Sequence, residues 1–160
     1  MIYNGIFSSL MQYASQIWGQ NLDIAIKIEK LQNKAIRIIN FEWNSEVSLL
    51  YHKNEILTFS DGIKLSNFIF AHNTIKGNLP NSLCNWLHFI NKVYDNQNPN
   101  FVKVPKIRTV TSGSNSIKYK SAKIWNEIIE SFPKIKFLQE HVSYCKSLLT
   151  EHYIQKYGNS

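Results

Sequence analysis

The chain has 160 residues, one ordinary domain's worth, and its 44% of hydrophobic residues excludes wholesale disorder. Charged residues are only 18%, with 18 Asn filling much of the missing polar quota, and Lys+Arg 18 against Asp+Glu 11 leaves +7, a balance that favours polyanions, nucleic acid first. Two Cys exclude a disulfide scaffold, and no apolar run is long enough to span a membrane.

In chain order, Ile6, Leu10, Tyr13, Ala14 and Ile17 recur at helical spacing and predict a helix over 4–18, stopped at Gly19. The clearest helix follows, from about Leu22 to Asn40, where Ile24, Ile28, Leu31, Ala35 and Ile38 step by four and three as a seven-residue apolar stripe. Ser45 opens a short helix carrying Val47, Leu49 and Leu50. Ser60 is the expected cap of a helix over 61–76, its core face Ile63, Leu65, Phe68, Ile69 and Phe70, ended by Gly77. Pro80 suits the first turn of a helix through Leu83, Trp86, Leu87 and Ile90. A long Asn- and Pro-rich basic loop occupies about 94–116, with short strand signals at Phe101–Val104 and at 107–110, a minor hairpin at most. Helix resumes near Ser121 and stops before Pro133, and a last helix runs from about Leu138 to Tyr157 with Leu138, Val142, Cys145 and Leu149 on one face. The expectation is an all-α fold of six or seven helices. Residues 1–93 form an N-terminal helical part, 94–120 a basic connector, and 121–160 helices packing on the same domain.

Charge is concentrated twice. Lys27, Lys30, Lys34 and Arg37 step by three and four, each just before a stripe residue, so they form a basic ridge beside the stripe, diluted only by Glu29. Between Asp95 and Glu127 there is no carboxylate, and Lys103, Lys106, Arg108, Lys118, Lys120 and Lys123 supply almost the whole net charge. Phe101, Tyr119 and Trp125 interleave with them, the pattern that stacks bases, although Trp125 with Ile124 and Ile128 reads better as a buried helix face.

Chemistry is harder to find. Cys84 with His88 and His141 with Cys145 are each four apart, and two such pairs are one conceivable zinc site; the more ordinary reading makes both cysteines small core residues. His52 and His72 stand alone as surface or core residues, the three Asp are scattered, and neither a Walker nor a dinucleotide glycine motif occurs. No cofactor and no active site are expected. The start of the chain lacks the basic segment of a secretory leader, so the expected location is intracellular, nuclear or cytoplasmic, with no membrane partner.

Several segments carry a resemblance. Tyr13-Ala14-Ser15-Gln16-Ile17-Trp18-Gly19 and Ile28-Glu29-Lys30-Leu31-Gln32-Asn33-Lys34-Ala35-Ile36-Arg37-Ile38-Ile39 resemble the region after the polymerase domain in LINE-type (non-LTR, jockey-like) retrotransposon reverse transcriptases. Ser48-Leu49-Leu50-Tyr51, Ile56-Leu57-Thr58-Phe59-Ser60-Asp61, Asn78-Leu79-Pro80 and Ser116-Ile117-Lys118-Tyr119-Lys120-Ser121-Ala122-Lys123-Ile124-Trp125-Asn126 are similar to later pieces of that region, in the same order. Ser121-Ala122 stands where the family has Gly-Pro, and the family's catalytic "Y-x-DD" has no counterpart in this sequence. The resemblance implies a non-catalytic C-terminal fragment of an RNA-directed DNA polymerase, its partner polymerase domain lying upstream. The expected ligand is RNA or an RNA–DNA duplex, clamped between the Lys27–Arg37 ridge and Lys118, Lys120 and Lys123 with little sequence reading. The competing expectation is a helical structural or protein-interaction domain, which an exposed Ile24–Ile38 stripe would favour.

Overall fold

The computed structural model describes residues 19–90, 98–109 and 112–158, together with Ser9 and Ile17. The helix expected over 4–18 lies outside these residues apart from Ser9 and Ile17, as do residues 94–97, 110 and 111 of the expected loop.

Among the described residues the fold is all-α. Six helices follow one another: α1 Leu22–Asn40, α2 Val47–Lys53, α3 Phe59–Ile75, α4 Asn81–Cys84, α5 Ile117–Ser131 and α6 Val142–Gly158. Of the expected hairpin only an isolated antiparallel bridge between Phe89 and Val102 is present. No helix among the described residues is long and apolar enough to cross a membrane. The chain divides into two compact units, Met1–Leu65 with Ser147–Ser160, and Ser66–Lys146. The divisions therefore fall within α3 and α6 and not at the change of composition near residue 94.

In the first unit, Asn21 caps α1 by accepting from the backbone N–H of Asp23 at 2.9 Å. The fully buried residues of α1 are Ala25, Gln32 and Ile36; of the predicted stripe, Ile24, Leu31 and Ile38 are 38%, 53% and 55% exposed, Ala35 is half-buried, and Ile28 is half-buried against Ala25, Phe59 and Ile63. Each buried residue follows a stripe residue by one place, a rotation of roughly 100° about the helix axis. The cause is polar. The buried Gln32 amide donates to the Leu57 carbonyl at 2.8 Å and accepts from the Phe59 N–H at 2.7 Å. Tyr51 adds an O–H bond to Asn33 at 2.7 Å. Ile36 then packs with Leu50, Tyr51 and Tyr157, and Ala25 with Phe59 and Ile63.

α3 is capped by Thr58, not Ser60: the Thr58 hydroxyl accepts from the Asp61 N–H at 3.2 Å, while the Ser60 hydroxyl donates to the Glu29 carboxylate. The Asp61 carboxylate accepts from Tyr157 at 2.6 Å and from Thr58 at 3.1 Å, and pairs with Lys64 at 2.7 Å. Burial pushes the Asp61 carboxyl up, but these donors outweigh it and hold the group below its usual range. Burial, with Asp61 alongside, pushes the Tyr157 phenol well above its ordinary value.

The second unit is built on aromatic rings. Phe68 stacks on Trp125 at 5.2 Å and meets Phe137 edge-on at 5.2 Å. His72 is buried beside them, its Nε2 3.1 Å from the Phe137 carbonyl, so that nitrogen carries the proton. Nδ1 is buried without a hydrogen-bond partner. The helix expected through Leu83–Ile90 stops at Cys84, because the next residues are extended: Lys103 N–H donates to the His88 carbonyl at 2.9 Å and Ile90 N–H to the Phe101 carbonyl at 3.1 Å. α5 starts earlier than expected, since Ser116 accepts from the Tyr119 N–H at 3.3 Å. α6 starts later, since residues 137–139 form a turn that delivers Phe137 to the core.

Two predictions follow from this packing. Gln32→Leu removes both bonds to the 57–59 turn, the one to Phe59 buried and the one to Leu57 part-buried, so chemical denaturation should show a loss of about 2–4 kcal/mol. The second concerns His72, whose pKa is lowered chiefly by burial. The folded state holds the neutral ring while the unfolded chain takes up the proton, so stability is full above the ordinary imidazole value of about 6.5 and falls as pH drops below it. Melting curves from pH 8 to 5 should show this decline, and His72→Phe should flatten it. Asp61 acts only at lower pH, below its ordinary carboxylate range.

Candidate nucleic-acid interface

The rotation of α1 turns the ridge fully outward. Lys27, Lys30 and Lys34 are exposed on the side opposite Ala25, Gln32 and Ile36, whereas the sequence placed them beside the buried face. Among the described residues none of the three enters an ion pair. Glu29 does not dilute them, because it is half-buried and engaged with Ser60. Asp23 is the helix's other acid; it lies one turn ahead of Lys27 without an ion pair and sits where the positive end of the helix dipole favours it. Arg37 differs from the lysines: it is half-buried and donates through Nη1 to the Trp43 carbonyl. From Lys27 to Arg37 the ridge covers about 15 Å of helix axis. That is about four phosphate steps along one strand of a duplex.

The second basic segment is positioned by two residues of α5. Asn126 grips Val102 with both ends of its amide, accepting from the N–H at 2.8 Å and donating to the carbonyl at 2.8 Å. Trp125 is fully buried, and its indole N–H donates to the Asn100 carbonyl at 2.9 Å. Trp125 is thus the anchor of the loop and not a base-stacking group. Beyond this clamp Lys103, Lys106 and Arg108 are exposed. Gly113 closes the segment, its N–H donating to the Thr109 carbonyl at 3.1 Å; a Cβ there would lie 2.7 Å from that oxygen.

The α5 lysines do not share one face. Lys123 is exposed and pairs loosely with Glu127 at 3.7 Å, a contact worth little in water. Lys120 is half-buried, and burial, then Lys123, lowers its pKa. Lys118, also half-buried, lies one turn before the buried Ala122, on the core side. The first turn of α5 contains no acid.

The zinc set is not assembled. Among the described residues no three His, Cys, Asp or Glu side chains are grouped to hold a metal ion. Cys84 ends its helix and donates to the Leu79 carbonyl at 2.9 Å, so His88 is not one turn further along the same helix. Cys145 is buried 3.9 Å from the Phe137 carbonyl, its thiol pushed up by burial, and His141 Nδ1 bonds the Ser143 hydroxyl at 2.7 Å.

Two residues that the sequence reading passed over stand out. Phe41 and Trp43, directly after the ridge, are 88% and 61% exposed. The available signal was position: two aromatics flanking one acid at the end of a basic helix. No protein-family model matches the chain, and no curated protein or solved structure matches it either.

The Asn126 grip makes a testable prediction. Asn126→Ala leaves the buried Val102 N–H and carbonyl without this partner and should cost about 2–4 kcal/mol in denaturant unfolding. Hydrogen exchange should show the gain in opening concentrated at residues 100–103.

Proposed function

We propose that this chain is a nucleic-acid-holding, non-catalytic piece of a LINE-type reverse transcriptase that contacts the phosphates of RNA or an RNA–DNA duplex. The observation that carries this reading is the row of three exposed lysines, Lys27, Lys30 and Lys34, unpaired by acids on a helix whose orientation is fixed by buried bonds. Lysines so arranged repel one another, and a phosphate backbone relieves that repulsion while releasing counterions. The exposed Lys103, Lys106 and Arg108 form a second phosphate-contacting surface, with Lys120 and Lys123 contributing from α5. The resemblance quoted above supplies the parent activity, RNA-templated DNA synthesis, which belongs to the polymerase domain and not to this chain.

A specific observation favours a second reading. Ile24, Leu31 and Ile38 are exposed at seven-residue spacing next to the ridge, the pattern of a seam for a partner helix. On that reading the charge keeps the chain soluble and the aliphatic row is the working surface.

Binding as a function of salt separates the two. Contact with four to six phosphates gives a slope of log affinity against log salt of about −4 to −5. The control is Lys27→Glu, Lys30→Glu and Lys34→Glu together, all exposed, so the fold is retained by circular dichroism. The slope should flatten by about 3 in this variant. Weak binding with an unchanged slope would transfer the function to the aliphatic row.

A further inference from the structure

We infer that Phe41 and Trp43 form a stacking platform for unpaired nucleotides at the C-terminal end of the α1 ridge. The inference rests on the nucleic-acid reading and deepens it by naming single-stranded RNA or DNA as the ligand at this point. Phe41 occupies the left-handed region at φ 54°, where a bulky side chain is strained and where helices ordinarily end in Gly or Asn. The Phe41 N–H bond to the Ile38 carbonyl at 3.3 Å and the Glu42 N–H bond to the Arg37 carbonyl hold that conformation, while the Phe41 ring is 88% exposed. Trp43, two residues on, is 61% exposed.

The loop that presents them is held in place. Arg37 donates to the Trp43 carbonyl, and the Glu42 N–H donates to the Arg37 carbonyl at 3.2 Å. The Glu42 carboxylate, between the two aromatics in sequence, accepts from Ser45 at 2.7 Å and pairs with Lys53 at 2.7 Å. Those donors hold its pKa below the usual range and answer its charge, so the acid at this point opposes a phosphate less than a free one would. The outcome is two exposed rings on a tied-down turn directly after a row of cations, the combination that binds single strands: cations follow the backbone and rings stack on bases. Paired bases hide their faces against one another, so the rings select unpaired nucleotides. Exposed aromatics also suit protein interfaces, but the lysine row next to them does not suit an interface centre, whereas a phosphate backbone uses it.

The test uses the full chain and two probes, a uridine oligomer of about 20 nucleotides and an RNA duplex of about the same length, long enough for several stacking sites. Phe41→Gly suits the left-handed backbone, so Phe41→Gly with Trp43→Ala keeps the fold. The double variant should bind the oligomer about 10- to 100-fold more weakly with an unchanged salt slope, and the duplex within about twofold of the original chain. Trp43→Phe, which keeps a ring, should retain most of the affinity. Unchanged oligomer affinity in the double variant, with the original chain still binding on a steep salt slope, overturns the platform alone and assigns the rings to a protein partner. Absence of salt-dependent binding to either probe by the original chain overturns the nucleic-acid reading itself.

Discussion

The surface of α1 depends on one buried amide. Gln32 satisfies a carbonyl and an N–H of the 57–59 turn at once, just where α3 begins. Meeting that demand fixes the rotation of α1. Ile24, Leu31 and Ile38 turn outward, Ile28 stays half-buried, and Ala25 and Ile36 take the core positions. Two polar bonds, together with burial of Ala25 and Ile36 and the packing of Ile28, offset the exposure of Ile24, Leu31 and Ile38, since an unpaired buried backbone group costs about as much as one aliphatic side chain gains. The consequences are the outward lysine ridge and the exposed seam beside it.

The second unit repeats the logic with different chemistry. Asn126 imitates a strand neighbour, offering Val102 one donor and one acceptor where no strand is present to supply them. Trp125 does the same for Asn100 while stacking on Phe68. The Trp-Asn pair is therefore a device for holding an irregular basic segment against a helix.

Element type was legible in the sequence, and facing was not. The bounds of α1 follow from apolar periodicity together with Asn21 and the residues after Asn40. Periodicity reports that a helix has an apolar side, not that this side is the buried one; the role of Gln32 depends on a turn 25 residues away in the chain, which no local pattern contains. As residue types Thr58 and Ser60 are equally good caps, and the choice is made by Tyr157 and Asp61, which share the Thr58 hydroxyl. The helix after Pro80 was overestimated because its apolar residues pair with the 101–103 segment instead of continuing the coil. Of the site residues, Lys27, Lys30 and Lys34 were legible as exposed cations. Arg37 and Lys118 were not separable from them, since their burial is set by Trp43 and by the start of α5.

The acids complete the account. A +7 chain still has eleven carboxylate residues, enough to quench a ridge if they faced it. In the first unit three of them are used internally: Glu29 by Ser60, Glu42 by Ser45 and Lys53, and Asp61 by Tyr157, Thr58 and Lys64. Each contact removes a negative charge from competition for Lys27, Lys30 and Lys34. Only Asp23 stands four residues from a ridge lysine, Lys27, and it forms no ion pair with it; such a pair is worth only a few tenths of a kcal/mol. The row therefore keeps its charge because the acids packed nearby on Ser60, Ser45, Lys53, Tyr157 and Thr58 are held away from it.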